Sequence, residues 1–171
     1  VGDMNGPDYW DGREIDFNWP DYADVISGLT DLAYDEYGLR IEWTLIGDGQ
    51  VTVPDLGQKY ALANAFLAMS VGREHKILHF ETANEYWING FGGDQGLQEL
   101  RDLTSYLRAN TDILVAASAP AGHECDDARA IYDGCVADIA TVHFDRSIHY
   151  VEGHWRPVRQ PWEHQFCDVP A

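Results

Sequence analysis

The sequence predicts an α/β fold in which a parallel sheet is covered by helices, and three observations carry that expectation. Strand-like and helix-like segments alternate from Trp19 to Phe144. Strand-like runs are closed by turn or polar residues, as in Gly47-Asp48-Gly49 and Asn84-Glu85. A composition of 45% apolar and 12% aromatic residues over 171 positions suits one domain with a real core. Alternation of this kind implies parallel strands joined by right-handed crossovers.

The elements follow in order. From Trp19 to Tyr37, Tyr22, Val25, Ile26, Leu29, Leu32 and Ala33 recur at helical spacing. Pro20 suits a first helical turn and Gly38 a helix terminus. Residues 39–46, Leu-Arg-Ile-Glu-Trp-Thr-Leu-Ile, read as a strand. A helix from about Pro54 to Ser70 groups Leu56, Tyr60, Ala63, Phe66 and Leu67. Residues 77–82 predict the next strand and Leu97 to Arg108 the next helix. Asp112 to Ala117 is expected as a strand, Cys125 to Tyr132 as a short helix, and Ala137 to Phe144 as another strand. Trp155 to Phe166 predicts a last helix, and Val169-Pro170-Ala171 the opening of one more strand.

Charge and motifs exclude several functions. Asp and Glu number 29 against 11 Lys and Arg, a formal charge of -18, and only Lys59 and Lys76 are lysines. Nucleic acid and anionic membrane surfaces demand the opposite sign. No run reaches the roughly 18 apolar residues of a membrane span. Cys125, Cys135 and Cys167 form neither a CxxC nor an even disulfide framework. His143 with Asp145, and His123-Glu124-Cys125, lack any zinc or calcium spacing, so neither metal nor cofactor is expected. Ser118 lies in Ala-Ser-Ala-Pro, outside any GxSxG motif.

No GxGxxG or GxxxxGK[ST] follows a strand, which weakens a nucleotide-binding open sheet. Acid, amide, histidine and tryptophan follow the strands instead. This favours a (β/α)8 barrel, whose chemistry gathers at the strands' carboxyl ends. Because such a barrel takes about 250 residues, the expectation is a partial barrel: strands two to six plus the start of strand seven. Residues 1–171 would form one catalytic-barrel domain truncated at both ends.

The chemistry centres on residues 77–87, Ile-Leu-His-Phe-Glu-Thr-Ala-Asn-Glu-Tyr-Trp. A glutamate at a strand end, beside an amide and flanked by rings, suits a general acid, because partial burial raises a carboxyl pKa. The amide suits a sugar hydroxyl, and Trp87 offers a flat face to a sugar ring. Taken alone, Asn84-Glu85 also fits a cap on the following helix.

Phe80-Glu81-Thr82-Ala83-Asn84-Glu85 resembles the F-E-x-x-N-E run on the fourth barrel strand of clan A glycoside hydrolases, closest to the family 5 cellulase-like enzymes. The resemblance implies hydrolysis of a β-glycosidic bond with retention, Glu85 being the acid/base and Asn84 a substrate contact. The family usually places Pro where this chain has Tyr86. Residues 139–144 resemble that family's sixth strand, which implies that His143 contacts the sugar, although Asp145 stands where the family has Tyr. The family's nucleophile ends the seventh strand, which is expected beyond residue 171; Glu163 is a substitute. Glu81 and Glu42 read as paired carboxylates within strands or as site acids. Trp43 and Tyr9-Trp10 read as core aromatics or sugar platforms. The expected partner is a poly- or oligosaccharide. Two alternatives stand beside it: a non-catalytic carbohydrate-binding barrel relative, and a complete small α/β interaction module.

Overall fold

A computed structural model describes residues 17–120, 125–141, 150–151 and 154–155. The first helix, α1, spans Tyr22–Tyr37 and ends at Gly38, whose φ of 66° lets Gly38 N–H reach Tyr34 O and Leu39 N–H reach Ala33 O. Strand β1 covers Ile41–Ile46, and a short helix α2, Gly49–Thr52, follows it. Helix α3 spans Leu56–Ser70. It starts on a capping box in which Asp55 accepts from Gln58 N–H and the Gln58 side chain accepts from Asp55 N–H.

A 3₁₀ turn at Glu74–Lys76 leads into β2, Ile77–Ala83, and α4 spans Gly93–Ala109. Strand β3 is Val115–Ala116 and α5 is Cys125–Tyr132. Two further short strands, β4 (Tyr150–Val151) and β5 (His154–Trp155), pair antiparallel. The helix expected from Trp155 therefore opens on a strand residue, and its remainder lies outside the described residues, as does the strand expected at Val169.

The main sheet is all-parallel in the order β1-β2-β3, with Trp43 opposite Phe80, Thr44 opposite Glu81, and Phe80 opposite Val115. One face carries Trp43, Phe80 and Thr82 against the helices. Phe66 of α3 is the hub there, its ring centroid 5.7 Å from Trp43, 6.0 Å from Phe80 and 6.4 Å from Tyr22 of α1. Farther along, the Thr82 hydroxyl lies 2.9 Å from that of Thr104 on α4. Helices α1, α3, α4 and α5 pack side by side in chain order.

The expected apolar face of α1 is only partly used. Tyr22, Ile26 and Thr30 are buried, whereas Val25, Leu29 and Leu32 are exposed. Thr30 sets this rotation: its hydroxyl bonds Ile26 O at 2.9 Å and accepts the Trp43 indole N–H at 3.1 Å. Trp43 is thus a core residue rather than a sugar platform.

The partial barrel is not what the chain forms. Among the described residues the structure is a three-stranded parallel sheet with five α-helices, not a wall of five to seven strands. Among the described residues the shortfall falls at 112–117 and 137–141. Only Val115 and Ala116 form strand in the first, and the second contributes a single bridge, Ala116 to Ile139, before residue 142. The carbonyls of Leu114, Val115 and Ala117 accept backbone bonds, but side chains take three of the N–H groups. Val115 N–H donates to the Asp138 carboxylate at 3.0 Å, Ile113 N–H to the Thr111 hydroxyl at 3.1 Å, and Thr141 N–H to the Tyr132 hydroxyl at 3.1 Å. Such local bonds compete with strand pairing.

The turn before β2 is tied to α1 by charge. Arg73 donates to both Asp31 oxygens at 3.0 and 3.1 Å, and Lys76 to Asp31 at 2.9 Å and Asp35 at 2.7 Å. Arg73 first, then Lys76, holds the Asp31 carboxyl below its ordinary 3.8. Stability from a lowered carboxyl is present above its unfolded value and is lost as pH falls through the folded one. Asp31→Asn should therefore flatten the loss of stability below about pH 4, read as urea midpoints at neutral and acid pH. Phe66→Ala should cost about 3–5 kcal/mol in denaturant unfolding, since Phe66 touches both strands and α1.

Candidate functional site

The site sits at the carboxyl end of β2, where Asn84 N–H still completes the ladder by donating to Ile46 O at 2.9 Å. Glu85 then takes φ 41°, in the left-handed region that a residue with a Cβ adopts at a cost of about 1 kcal/mol or more. Strain of this kind persists only where the surroundings over-determine it.

Bonds from several elements do so here. Asn89, buried, donates its side-chain amide to Asn84 O at 2.5 Å and to Glu85 O at 3.3 Å. Ile88 N–H donates to Glu85 O at 3.1 Å, and Asn89 and Phe91 N–H both donate to Tyr86 O. Tyr86 N–H donates to the Ser118 hydroxyl at 3.0 Å, which anchors the loop to the chain just after β3.

Two further clamps act from below. Lys59 of α3 is 3% exposed; its ammonium donates to Gly90 O at 2.6 Å, lies 3.4 Å from Glu99 and sits 4.1 Å from the Phe91 ring centroid. The loop after β1 presses on the loop after β2 at Gly49 and Gly90. A Cβ on Gly49 would lie 2.6 Å from Asn89 O, and one on Gly90 2.9 Å from Gln50 N.

On this frame Asn84, Glu85, Tyr86 and Trp87 are all half-buried, and the Tyr86 and Trp87 rings meet edge-on at 5.6 Å. Burial, and then the charge of Asp127 on α5, push the Tyr86 phenol above its ordinary value, so it is a neutral hydroxyl at physiological pH. Three of the four predicted site residues, Asn84, Glu85 and Trp87, are therefore within one loop. His143 lies outside the described residues, together with Asp145, Glu163, His123 and Tyr9-Trp10. Among the described residues, no group of three His, Cys, Asp or Glu is placed to hold a metal ion, and no helix is long and apolar enough to cross a membrane.

The sheet face away from the helices carries the other acids. Glu81 is 2% exposed and both its oxygens are taken, one by the Thr44 hydroxyl at 2.8 Å and the other by Thr141 at 2.6 Å. It is a cross-strand tie. Glu42 is exposed and stands 3.4 Å from Nε2 of the buried His79; that nitrogen has the carboxylate near it but no aligned hydrogen bond. A cleft of about 490 Å³ opens at the opposite end of the sheet, where α4 ends and β3 begins. Its Arg108 is already bound to Asp138 at 2.7 Å and to Cys135 O, and no candidate residue lines it.

Lys59, Asn89, Ser118 and Tyr132 are the supporting residues missed in the sequence. Lys59 alone carried a signal: it recurs with Leu62, Ala63 and Phe66 at core spacing on α3, one of only two lysines in the chain. No protein-family model matches the chain, and comparison with curated proteins and with solved structures likewise finds no match. The class rests on fold and site together: an α/β protein with sequentially ordered parallel strands, bearing an amide and a carboxylate at the end of the central one.

Lys59→Met keeps the apolar stem but leaves Gly90 O without its charged donor. It should cost about 1–3 kcal/mol in thermal or urea unfolding and speed amide exchange across residues 84–91. Unchanged exchange there would mean that Lys59 does not hold the loop.

Proposed function

We propose that the protein is a glycoside hydrolase that cleaves β-glycosidic bonds in a poly- or oligosaccharide with retention, Glu85 acting as acid/base. The observation that carries this reading is the placement of Glu85: half-buried, at the end of the central strand, in a left-handed conformation pinned by Asn89 and Ser118. A general acid gains from such fixing, because proton transfer in the transition state depends on a donor already in place. In this reading Glu85 protonates the departing glycosidic oxygen and later takes a proton from the attacking water. Asn84 bonds a sugar hydroxyl and Trp87 stacks on a ring, with His143 a further sugar contact. The motif resemblance at residues 80–85 supports these assignments; they do not rest on a barrel.

Retention needs a second carboxylate about 5–5.5 Å from the first. Glu81 shares β2 with the site, but its burial and two threonine donors suit a structural tie rather than a nucleophile. The nucleophile is therefore assigned outside the described residues.

Expressed from its complete reading frame, the protein should hydrolyse members of a panel of aryl β-glycosides and β-linked polysaccharides. Glu85→Gln should lower turnover of unactivated substrates about 10²–10⁴-fold while leaving the thermal midpoint nearly unchanged. Normal turnover in that variant would overturn the assignment, and sugar binding without any wild-type turnover would favour the carbohydrate-binding alternative.

A further inference from the structure

A chain of buried and part-buried hydrogen bonds runs from the sheet interior to the loop that carries Glu85. It begins at Glu81, which accepts from the Thr141 hydroxyl at 2.6 Å. That hydroxyl lies 3.4 Å from the Tyr132 hydroxyl, which also accepts from Thr141 N–H at 3.1 Å. Tyr132 in turn donates to Ser118 O at 2.7 Å and accepts from Ser118 N–H at 3.3 Å. Both polar groups of the Ser118 backbone are thus engaged by one phenol. The Ser118 side chain, fully buried, then accepts from Tyr86 N–H at 3.0 Å.

A serine in an Ala-rich stretch, Ala116-Ala117-Ser118-Ala119, buried without access to solvent, is a costly place for a hydroxyl unless it is bonded. Its bond goes to the one peptide N–H that directly follows the left-handed Glu85.

We propose that Ser118 is a positioning residue for Glu85: its hydroxyl, held in place by Tyr132, fixes the Glu85–Tyr86 peptide so that the carboxyl keeps one orientation. The proposal rests on the reading of Glu85 as a general acid. Ser118 acts through the backbone and touches no substrate. Tyr132 serves as its brace, and the tie through Thr141 to Glu81 couples that brace to β1 and β2, because Glu81 also binds Thr44.

The test compares wild type with Ser118→Ala, Ser118→Thr and Tyr132→Phe, using phenyl and 2,4-dinitrophenyl β-cellobiosides and β-xylobiosides. The dinitrophenolate departs without a proton, whereas phenolate needs one. Ser118→Ala should lower kcat/KM on the phenyl glycosides about 100-fold, the scale of an ångström of misplacement, and leave the dinitrophenyl substrates within about threefold. Ser118→Thr, which retains the hydroxyl, should restore most of the phenyl activity. Tyr132→Phe should repeat the Ser118→Ala pattern in weaker form, which keeps the test decisive if a Ser118 variant fails to fold. Equal losses on both leaving groups, or none on the phenyl glycosides, would overturn the proposal.

Two readouts work without activity. In NMR spectra the Tyr86 amide should be protected from exchange in wild type and Ser118→Thr but not in Ser118→Ala, and the Glu85 side-chain carboxyl carbon should change its chemical shift in Ser118→Ala alone. If wild type turns over none of the glycosides, the hydrolase reading fails on its own account. The role of Ser118 is then decided by these spectra, and unchanged Tyr86 protection with an unchanged Glu85 carboxyl resonance would refute it.

Discussion

Strand β2 is paired on both edges and covered on both faces, and the rest of the structure depends on how its polar residues are satisfied there. Parallel strands buried on both sides usually read as unbroken apolar runs. This one contains His79, Glu81 and Thr82, all buried. Burying such groups costs free energy unless each finds a partner. Thr82 finds Thr104 and Ala116 O, and Glu81 finds Thr44 and Thr141, whereas His79 Nε2 has only the Glu42 carboxylate 3.4 Å away. The partners come from β1, from α4 and from the chain on either side of α5, so satisfying one strand brings four separate segments into register.

The two faces of the sheet divide the work. On the helix side, Phe66 meets Tyr22, Trp43 and Phe80, so apolar burial holds α1 and α3 to the sheet. On the other side Thr44, Glu81 and Thr141 make polar, directional contacts, and at the carboxyl end of β2 the loop is held by Ser118 and Asn89 and, from α3, by Lys59. A left-handed glutamate is unfavourable in isolation; here the flanking peptide groups are bonded by Asn89 and Ile88 of the same loop, by Ile46 O of β1 and by Ser118 after β3, which offsets that cost.

Helix and strand positions were largely legible in the sequence, because they follow from periodicity and end signals. Gly38 and Asp55 mark helix boundaries for local reasons that need no neighbour. The two loosely paired segments were not legible. Asp112 to Ala117 and Ala137 to Phe144 have strand-like composition, yet in 112–117 and in the described residues 137–141 Asp138, Thr111 and Tyr132 supply side-chain partners to backbone N–H groups. The same limit explains the partial barrel: alternation gives the order of elements but does not say whether backbone groups pair with a neighbouring strand or with a side chain. At the candidate site, Asn84, Glu85 and Trp87 stood out by residue type and position. Ser118 and Tyr132 did not, since a lone serine among alanines and a tyrosine ending a short helix carry no local mark of a shared bond.

The sequence by itself determined the α/β class, the parallel order implied by alternation, and an amide and a carboxylate at the end of one strand. These depend on residue type and spacing within one segment. Tertiary structure alone decided how many residues each strand keeps, which face of α1 is buried, that Glu81 is a cross-strand tie, and that the peptide after Glu85 is fixed by a serine 32 residues further along. Hydrogen bonds and close packing join residues distant in the chain, and no local pattern encodes which distant partner will arrive.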